Sequence, residues 1–362
     1  MKPFEPHTLP LKNLDWERFV PFLGKAHAAL GRYDGVLQTI PNANVLLAPL
    51  ATQEAVLSSR IEGTQATLQE VLTFEARPNS SPPNKADIQE VLNYRAALHF
   101  AVKDLQSRPF CLNLLRDMHG VLMDSVRGQN KDRGNFRRIQ NWIGPPGSTT
   151  ETAAYVPPSP ERLMDFLDNF EKYYHLEKKD SLVQLAILHG QFEVIHPFLD
   201  GNGRIGRLML PLFLFNKRLL SSPNFYMSAF FEANRQEYYQ KLRHISTADD
   251  WQGWIEYFLG GVIELTKQNV DKALSILNLY QEMKSIITET TRSRHSICLL
   301  DFLFQNPFFT SKEFAETCSI SKRTSDYLIA RLKKGNIIST LQSPKGKSST
   351  LYLFNELINR TG

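Results

Sequence analysis

Apolar residues recur at helical spacing through most of the chain, and this pattern predicts a mainly α-helical protein. Helices are predicted over residues 42–63, 85–105, 112–123 and 160–176. Residues 181–195 are apolar on nearly every face, which is typical of a helix buried in the middle of a bundle. The chain is therefore expected to enclose one central helix among amphipathic ones.

Two stretches depart from this pattern. Residues 136–160 combine β-formers, a Gly/Pro turn and a Ser/Thr-rich tip, so a short surface hairpin is predicted. After residue 294 three short helices, with N-cap residues at Thr310 and Ser321, precede two strands joined by a basic turn. This order resembles a winged helix-turn-helix domain. The predicted domains are a helical N-terminal region over 1–91, a central domain over 92–275 and the winged domain over 290–362.

The composition suits a globular protein of two or three domains, with 362 residues, 42% hydrophobic and 22% charged. Cys111, Cys298 and Cys318 lie far apart without CxxC spacing, so neither a disulfide framework nor a cysteine zinc site is expected. The compartment expected for such a protein is the reducing cytoplasm. The N-terminus lacks the apolar core of a signal peptide. The most apolar run, residues 208–215, is too short to cross a bilayer, so no membrane span is expected.

Positive charge is concentrated near the C-terminus. From Arg292 onward there are eleven Lys/Arg against five Asp/Glu, an excess of six, while the whole chain has a net charge of +5. The predicted helix that follows Ser321 could enter a DNA major groove, with Lys345 and Lys347 of the wing at phosphates. DNA binding through residues 321–347 is one expectation. Dimerisation or protein docking, which winged helices also serve, is the alternative.

Residues 196–207, HPFLDGNGRIGR, bring special backbone and both signs of charge into one short stretch. Pro197 disfavours the helical conformation for His196, so the buried helix should end at the histidine. In the loop that follows, Gly201 and Gly203 can take positive φ and approach a ligand closely. Successive backbone N–H groups at the start of the next helix would form an anion site, which favours phosphate.

The charged side chains of this stretch suit a nucleotide. Arg204 and Arg207 share a face of the second helix, predicted to begin near residues 202–204, and both can reach phosphates. Asp200 can hold Mg²⁺ against phosphate oxygens. His196 can take a proton from an attacking hydroxyl. Together they predict nucleophilic attack on a nucleotide phosphate. A plain tight turn built from Gly and Asn is the alternative.

The same stretch matches the HxFx[D/E]GNGRxxR signature of Fic-domain proteins at every specified position. The resemblance extends over roughly residues 92–259. It implies a helical Fic core with a β-hairpin flap, and transfer of AMP from ATP to a Ser, Thr or Tyr hydroxyl of a target protein. The implied roles are a general base at His196, a buried anchor at Phe198, a Mg²⁺ ligand at Asp200, an anion hole at Gly201, Asn202 and Gly203, a phosphate contact at Arg204 and a γ-phosphate contact at Arg207.

Two further stretches resemble parts of that family. The sequence around Thr152, Ala153, Ala154 and Tyr155 resembles the flap, whose edge aligns a target peptide by main-chain hydrogen bonds and lines the nucleotide. An ordinary surface hairpin is the alternative. Residues 225–242 resemble the segment that closes over the adenine, with Asn234 and Tyr226 as nucleotide contacts. For Tyr226, packing in an aromatic core is the alternative.

Glu62 falls at the end of a predicted helix, where the helix dipole disfavours a negative charge, so a cationic partner is expected. Ser58 lies four residues back on the same face and can hydrogen-bond this carboxylate. A solvated Glu62 before a C-capping Gly63 is the alternative. The stretch from Ser58 to Gly63 also resembles [S/T]xxxE[G/N], the inhibitory motif of Fic proteins. By that resemblance Glu62 pairs with Arg207, and ATP binds unproductively.

These observations give one leading hypothesis and two alternatives. The leading hypothesis is a self-inhibited protein adenylyltransferase that uses ATP and Mg²⁺, modifies hydroxyl side chains of target proteins and of itself, and releases pyrophosphate. The first alternative keeps the site but removes AMP or uses another phosphate-bearing donor. The second is a DNA-binding regulator that acts through the C-terminal domain. A cytoplasmic location is also expected. The sequence leaves the oligomeric state open, and a homodimer that buries apolar helix faces is one candidate.

Overall fold

The computed structural model describes residues 2–124, 131–145, 147–343 and 349–361. After a 3₁₀ turn at Trp16–Arg18, the helices in these ranges are α1 (Val20–Thr39), α2 (Ala43–Leu46), α3 (Ala48–Ile61), α4 (Leu68–Ala76), α5 (Lys85–Asp104), α6 (Leu112–Leu122), α7 (Pro160–His175), α8 (Ser181–Ile195), α9 (Asn202–Asn216), α10 (Ser228–Ala233), α11 (Arg235–Ala248), α12 (Trp251–Thr291), α13 (Ser296–Gln305), α14 (Ser311–Thr317), α15 (Lys322–Lys334) and α16 (Asn355–Thr361). The strands are β1 (Phe308–Phe309), β2 (Ser339–Gln342) and β3 (Leu351–Leu353). The predicted mainly α fold is confirmed.

Helix α8 forms the centre of the fold, as its apolar pattern predicted. Nearly all its side chains are buried, from Leu182 to Ile195. The Asp180 side chain caps its start by accepting hydrogen bonds from the backbone N–H groups of Leu182 and Val183. Helices α7, α9, α11 and α12 surround it. The residues that follow α8 are therefore held by a rigid, fully packed element.

The helix predicted over residues 42–63 is observed as two helices, α2 and α3. The break falls at Leu47, and Pro49 stands in the first turn of α3, where its missing N–H costs no helical hydrogen bond. Helix α3 packs against α5, α9 and α10. It ends at Ile61, and Gly63 takes a φ of 97°, which favours glycine. The end of α3 thus lies against the helix that carries the motif arginines.

Helix α12 is 41 residues long and passes through the predicted boundary between residues 275 and 290. It packs against α1, α8 and α11 and also against α13, α15 and α16. In its second half, Tyr280, Thr290 and Ser275 form hydrogen bonds with residues of α13, α15 and α16. The core is continuous along this helix, from Trp254 to Ile287. The division into the domains 1–91, 92–275 and 290–362 remains a prediction.

The C-terminal part contains α13, α14 and α15 and an antiparallel sheet in the order β1-β3-β2. The Thr310 and Ser321 side chains accept hydrogen bonds from the first turns of α14 and α15, which confirms both predicted N-caps. The three helices and the strands β2 and β3 follow the predicted order, while β1 between α13 and α14 and the terminal helix α16 were not predicted. The identification as a winged helix remains a prediction. Lys345 and Lys347 of the predicted wing lie outside the described residues.

The C-terminal sheet packs against α4. Leu72 and Ala76 of α4 form a small apolar cluster with Phe308 and Leu351 of the sheet. Beside this cluster, Arg77 donates hydrogen bonds to the Gln342 side chain and to the Ser349 carbonyl. The C-terminal part therefore contacts the segment that immediately follows α3.

Strand pairing in the predicted hairpin is limited, in the described part of residues 136–160, to one antiparallel bridge. Ile143 and Tyr155 exchange backbone hydrogen bonds of 2.8 and 3.0 Å. Trp142 and Ile143 are each 43% exposed, so this segment presents apolar side chains to solvent.

The expectation of no disulfide is wrong in this structure. Cys298 of α13 and Cys318, which follows α14, form a disulfide, while Cys111 is free. The expectation rested on spacing along the sequence, and these cysteines are 20 residues apart. Packing of α14 beside α13 brings them together.

Candidate functional site

The loop between α8 and α9 has the predicted backbone at His196 and Gly201. His196 ends α8 in the left-handed region with a φ of 50°, and the helix cannot continue into Pro197. Gly201 takes a φ of 76°, and α9 begins at Asn202. Gly203 differs from expectation because it lies inside α9 rather than in a positive-φ turn. The first N–H groups of α9 are left without helical partners, as an anion site would require.

Asn202 and Phe198 close this loop internally. The Asn202 side chain accepts from the Phe198 N–H and donates to the Phe198 carbonyl, both at 2.8 Å. Phe198 is fully buried, as the predicted anchor should be, and stacks on His119 with ring centres 3.9 Å apart. His119 Nδ1 accepts from the Gly134 N–H, so Nε2–H donates to the Asp200 carbonyl at 3.1 Å. Burial lowers the pKa of His119 to about 4, which keeps the ring neutral.

His196 is oriented by its own backbone neighbours. Its Nδ1 lies 3.4 Å from the Glu193 carbonyl, which can only accept, so the proton is on Nδ1 and the lone pair is on Nε2. Arg137 supports the loop by donating to the His196 carbonyl at 3.0 Å and to the Pro158 carbonyl at 2.5 Å. Burial lowers the pKa of His196 to about 4, so the imidazole is neutral and able to accept a proton.

Arg204 is buried and bound to two carboxylates. Its Nη1 lies 3.3 Å from Glu90 Oε2 in α5, and its Nη2 lies 3.6 Å from Asp200 Oδ1. The Asp200 side chain is 44% exposed, and its Oδ1 also accepts from the Gly201 N–H. A phosphate entering this loop would therefore meet an arginine that already has carboxylate partners.

Asp200 suits a metal ion whose other ligands come from a bound nucleotide and water. Among the described residues, no three His, Cys, Asp or Glu side chains cluster so that they could hold a metal ion. One exposed carboxylate beside an anion site matches Mg²⁺, which is commonly bound by one or two carboxylates together with substrate phosphates and water. The Asp200 carboxylate therefore suits a Mg²⁺ ion that arrives with a nucleotide.

Arg207 is fully buried and is bound by the end of α3. Its Nε donates to Ser58 Oγ at 2.8 Å, and its Nη2 donates to the Ser58 carbonyl at 2.9 Å and to Glu62 Oε1 at 2.6 Å. Although partial burial opposes ionisation of Glu62, the guanidinium of Arg207 keeps its pKa below the usual range. Ser58 was expected to bond Glu62, and in the structure its hydroxyl contacts Arg207. The pairing of Glu62 with Arg207 is the contact that the motif implied.

The space for the Glu62 carboxylate exists because residue 203 is glycine. A Cβ built on Gly203 would lie 2.3 Å from Glu62 Oε1 and 2.9 Å from Arg207 Nη1. Any larger residue would therefore displace the pair. The absence of a side chain at position 203 allows the Glu62 carboxylate to approach the first turn of α9.

Residues on either side of Glu62 are held by α5 and α11. We call residues 61–65 the Glu62 turn. The Ile61 carbonyl accepts from Arg235 Nη2 and from the Tyr239 hydroxyl. Thr64 Oγ1 donates to Glu90 Oε2 at 2.9 Å. The turn is thus fixed by α11, which follows the predicted adenine contact Asn234, and by Glu90, whose carboxylate also binds Arg204.

The predicted flap residues occupy different environments. Thr152 and Ala154 are exposed, and Ala153 is buried. The Tyr155 hydroxyl donates to the Val194 carbonyl at 2.5 Å, so this ring tip is directed into the fold beside α8. Their predicted contacts with a nucleotide and a target remain predictions.

The two predicted adenine contacts also differ. Tyr226 is buried, and its hydroxyl donates to Asn224 Oδ1 at 2.9 Å. Asn234 is partly exposed and lines a surface cavity of about 690 Å³. The lining of that cavity comes from residues 232–244 and includes no residue of 196–207. Their nucleotide contacts remain predictions.

Sequence reasoning missed three groups that shape the site, namely His119, Arg137 and Glu90. They lie on α6, on the segment after it and on α5, far from the motif in sequence. Their types are common on helix surfaces, and no spacing set them apart. Packing of α5 and α6 against α9 brings Glu90 and His119 to the loop. Arg137 reaches it from the segment that follows α6.

Two family models match adjacent parts of the chain. One describes the N-terminal region of the Fic/DOC family and matches residues 20–103, and the other describes the Fic/DOC family and matches residues 109–214. Among curated proteins, "Protein adenylyltransferase Fic" of Drosophila grimshawi is 26% identical over 219 residues, which cover 58% of this chain and 40% of that protein. The Drosophila virilis protein of the same name is 24% identical over 248 residues, 66% of this chain and 46% of that protein. The chain spans less than half the length of these relatives.

Solved structures share the fold at low sequence identity. A Fic family protein from Desulfovibrio desulfuricans G20 has a TM-score of 0.61 and 21% identity, covering 97% of this chain and 98% of its own. Fic-1 from C. elegans has a TM-score of 0.51 and 20% identity, covering 69% and 71%. In the described ranges, none of the helices has the length and apolar character needed to cross a membrane.

Proposed function

Because the chain belongs to the Fic/DOC family, we propose that it is a protein adenylyltransferase held in a self-inhibited state by Glu62. The observation that carries the proposal is the set of contacts at Arg207, the last arginine of the motif. This guanidinium is fully buried and already bound by Ser58 and Glu62. A γ-phosphate would need the same donors, so the arginine cannot serve both.

The proposed reaction joins a target hydroxyl to the α-phosphate of ATP. The hydroxyl oxygen attacks the α-phosphorus, the bond to the β-phosphate oxygen breaks, and pyrophosphate leaves. Nε2 of His196 accepts the hydroxyl proton, since the proton on Nδ1 faces the Glu193 carbonyl. The first N–H groups of α9 and the Arg204 guanidinium stabilise the negative charge of the phosphates. Asp200 would hold Mg²⁺, which supplies charge neutralisation at the phosphates.

The proposed inhibition acts on the orientation of ATP. With Glu62 on Arg207, the γ-phosphate loses its charge-assisted partner and also meets a carboxylate of like sign. ATP can still bind through the α9 N-terminus, but the α-phosphate is not aligned with His196. Removing the Glu62 carboxylate therefore frees Arg207 and should increase transfer. A coupling of this kind is typically worth about 5–150-fold.

The test uses purified full-length protein and ATP radiolabelled at the α-phosphate. Glu62→Gly should label itself at least about tenfold faster than wild type. Glu62→Gly combined with His196→Ala should transfer no label yet still bind ATP. Glu75→Gly is the matched control, because Glu75 also pairs with an arginine, Arg95 at 2.7 Å, outside the site. Equal labelling of wild type and Glu62→Gly would refute the inhibition, and labelling without His196 would refute its role as base.

The nature of the transferred group is decided by the same experiment. Mass spectrometry of the labelled protein should show AMP on a Ser, Thr or Tyr hydroxyl. No AMP mass shift with ATP, but a shift when another phosphate-bearing nucleotide is supplied, would favour a different donor. Loss of AMP from a pre-modified protein would favour the reverse activity at the same site. Labelling of a lysate by Glu62→Gly protein would then identify target proteins.

Helix α15 supports a second candidate function, binding of duplex DNA. Its buried side faces the C-terminal core, while Lys322, Arg323, Lys333 and Lys334 are exposed together with Tyr327. Phosphate contacts by such basic residues give affinity that falls with salt. A gel shift of the full chain with a short duplex at low salt, reduced by Arg323→Ala and by added salt, would support DNA binding. No shift at low salt would favour protein docking or dimerisation.

The homodimer and the cytoplasmic location remain predictions. Light scattering during gel filtration measures the mass of the particle directly. Fractionation of the cells that make the protein measures its location.

A further inference from the structure

One carboxylate oxygen connects the Glu62 turn to the motif. Glu90 Oε2 accepts from Thr64 Oγ1 at 2.9 Å, and Arg204 Nη1 lies 3.3 Å from the same oxygen. All three side chains are buried, with exposures of 4% for Thr64, 5% for Arg204 and 7% for Glu90. Hydrogen bonds to a charged group in such surroundings are stronger than those between neutral groups at the surface.

Further hydrogen bonds hold the Glu62 turn at both of its ends. The Gln65 N–H donates to Asp87 Oδ2 at 2.9 Å, one turn before Glu90 on α5. On the other side of Glu62, the Ile61 carbonyl is held by Arg235 and Tyr239 of α11. Glu62 thus stands on a short segment fixed at both ends, and its reach to Arg207 depends on where those ends are held.

We propose that Glu90 is a positioning residue that couples phosphate binding at Arg204 to the hold of Glu62 on Arg207. This inference rests on the proposed function. When Arg204 turns to a phosphate, Glu90 loses its bond to the guanidinium and the turn loses part of the network that holds it. The converse follows by reciprocity, because a firmly held turn favours Arg204 on Glu90 and disfavours phosphate.

The first test removes the link on the side of the turn. Thr64→Val deletes the hydroxyl that bonds Glu90 and keeps the shape of the side chain. It should raise self-labelling by about twofold to tenfold, the equivalent of one hydrogen bond. In the Glu62→Gly background it should cause no further increase, because the carboxylate that it loosens is absent. Thr64→Val that labels like wild type would overturn the proposal.

The matched control is Thr67→Val. Thr67 lies three residues further on and caps α4 through Glu70, without a role in the proposed link. Its loss should lower the melting temperature by removing the cap and leave labelling unchanged. If Thr67→Val raises labelling as much as Thr64→Val, general loosening of the segment explains the effect and the proposal fails.

The second test examines Glu90 itself with a readout that a purely structural role would not give. Glu90→Gln keeps an oxygen that can accept from Thr64 but removes the charge that competes with phosphate for Arg204. In the Glu62→Gly background it should tighten ATP binding severalfold, measured by calorimetry. Unchanged or weaker ATP binding would overturn the proposal. Should Glu62→Gly itself fail to exceed wild type, the proposed function fails instead, so the two outcomes are distinguishable.

Discussion

Gly203 and Glu62 fit together in a way that no other residue at position 203 would allow. The Cβ of an alanine there would lie 2.3 Å from Glu62 Oε1, closer than any real contact between these atoms. Gly203, in the first turn of α9, therefore makes room for the carboxylate of Glu62. In the proposed function, the same absence of a side chain would serve both the phosphate site and the carboxylate that blocks it.

The first prediction follows from this fit. Gly203→Ala should lower the stability of wild type by about 1–3 kcal/mol through overpacking. In the Glu62→Gly background the loss should be much smaller, because the main clash is gone and alanine favours a helix. Thermal unfolding of the four proteins measures this coupling. Gly24→Ala in α1, where an added Cβ meets nothing within 4 Å, is the control and should shift both backgrounds equally. Equal losses of stability for Gly203→Ala in the wild-type and Glu62→Gly backgrounds would contradict a steric fit between Gly203 and Glu62.

The second prediction concerns pH. Since burial lowers the pKa of His196 to about 4, the ring carries no charge near neutrality and becomes protonated only as the pH falls toward 4. Transfer by Glu62→Gly protein should therefore hold steady from about pH 8 to about pH 6 and fall below about pH 5. The measurement is kcat/KM across this range, with circular dichroism to verify folding. A decline centred near the ordinary histidine value of about 6.5 would show that the base is exposed to water.

The third prediction concerns Arg137, whose planar guanidinium holds the His196 and Pro158 carbonyls together. A lysine cannot reproduce this fork. Arg137→Lys in the Glu62→Gly background should lower kcat about tenfold or more, because displacement of a catalytic group by about 1 Å can cost far more than that. The neighbouring Arg138 is exposed, and Arg138→Lys should leave kcat unchanged. Similar rates for both variants would remove Arg137 from the support of the loop.

The fourth prediction concerns the bond between Cys298 and Cys318. A disulfide that closes a loop of this length stabilises a protein by about 3 kcal/mol in the chain-entropy model. Cys298→Ser should lower the melting temperature of oxidised protein to that of reduced wild type, and reductant should not affect the variant. Cys111→Ser, at the free cysteine, should retain the response to reductant. A wild type insensitive to reductant would show that the bond does not form in solution.

Much of the fold followed from local pattern. The buried helix α8, the caps at Thr310 and Ser321 and the loop from His196 to Gly201 were predicted from spacing and backbone chemistry, because each depends on neighbours in the sequence. Helix α1 was not among the predicted helices. It contains Gly24, Gly31 and Gly35, which weaken a helical pattern, and it forms because it packs along α12.

Sequence predicted the part of the site that lies within the two motifs, and not the residues that other helices contribute. The approach of Glu62 to Arg207 was expected from resemblance, and the residues alone indicated only that the carboxylate needed a cation. His119 and Glu90 gave no signal in the sequence, since a histidine and a glutamate on amphipathic helices are ordinary. Their contacts arise between helices that are remote along the chain, and local pattern carries no information on such pairs.

Helix α12 also sets a limit on how this protein can be shortened. A chain that stops at residue 275 would cut the helix between Ala273 and Ile276, both fully buried. The surfaces of α2, α3 and α4 that now contact α13, α16 and β1 would then face water. A fragment meant to carry the motif alone should therefore aggregate, and any attempt to isolate the C-terminal part needs to retain the last turns of α12 as its first element.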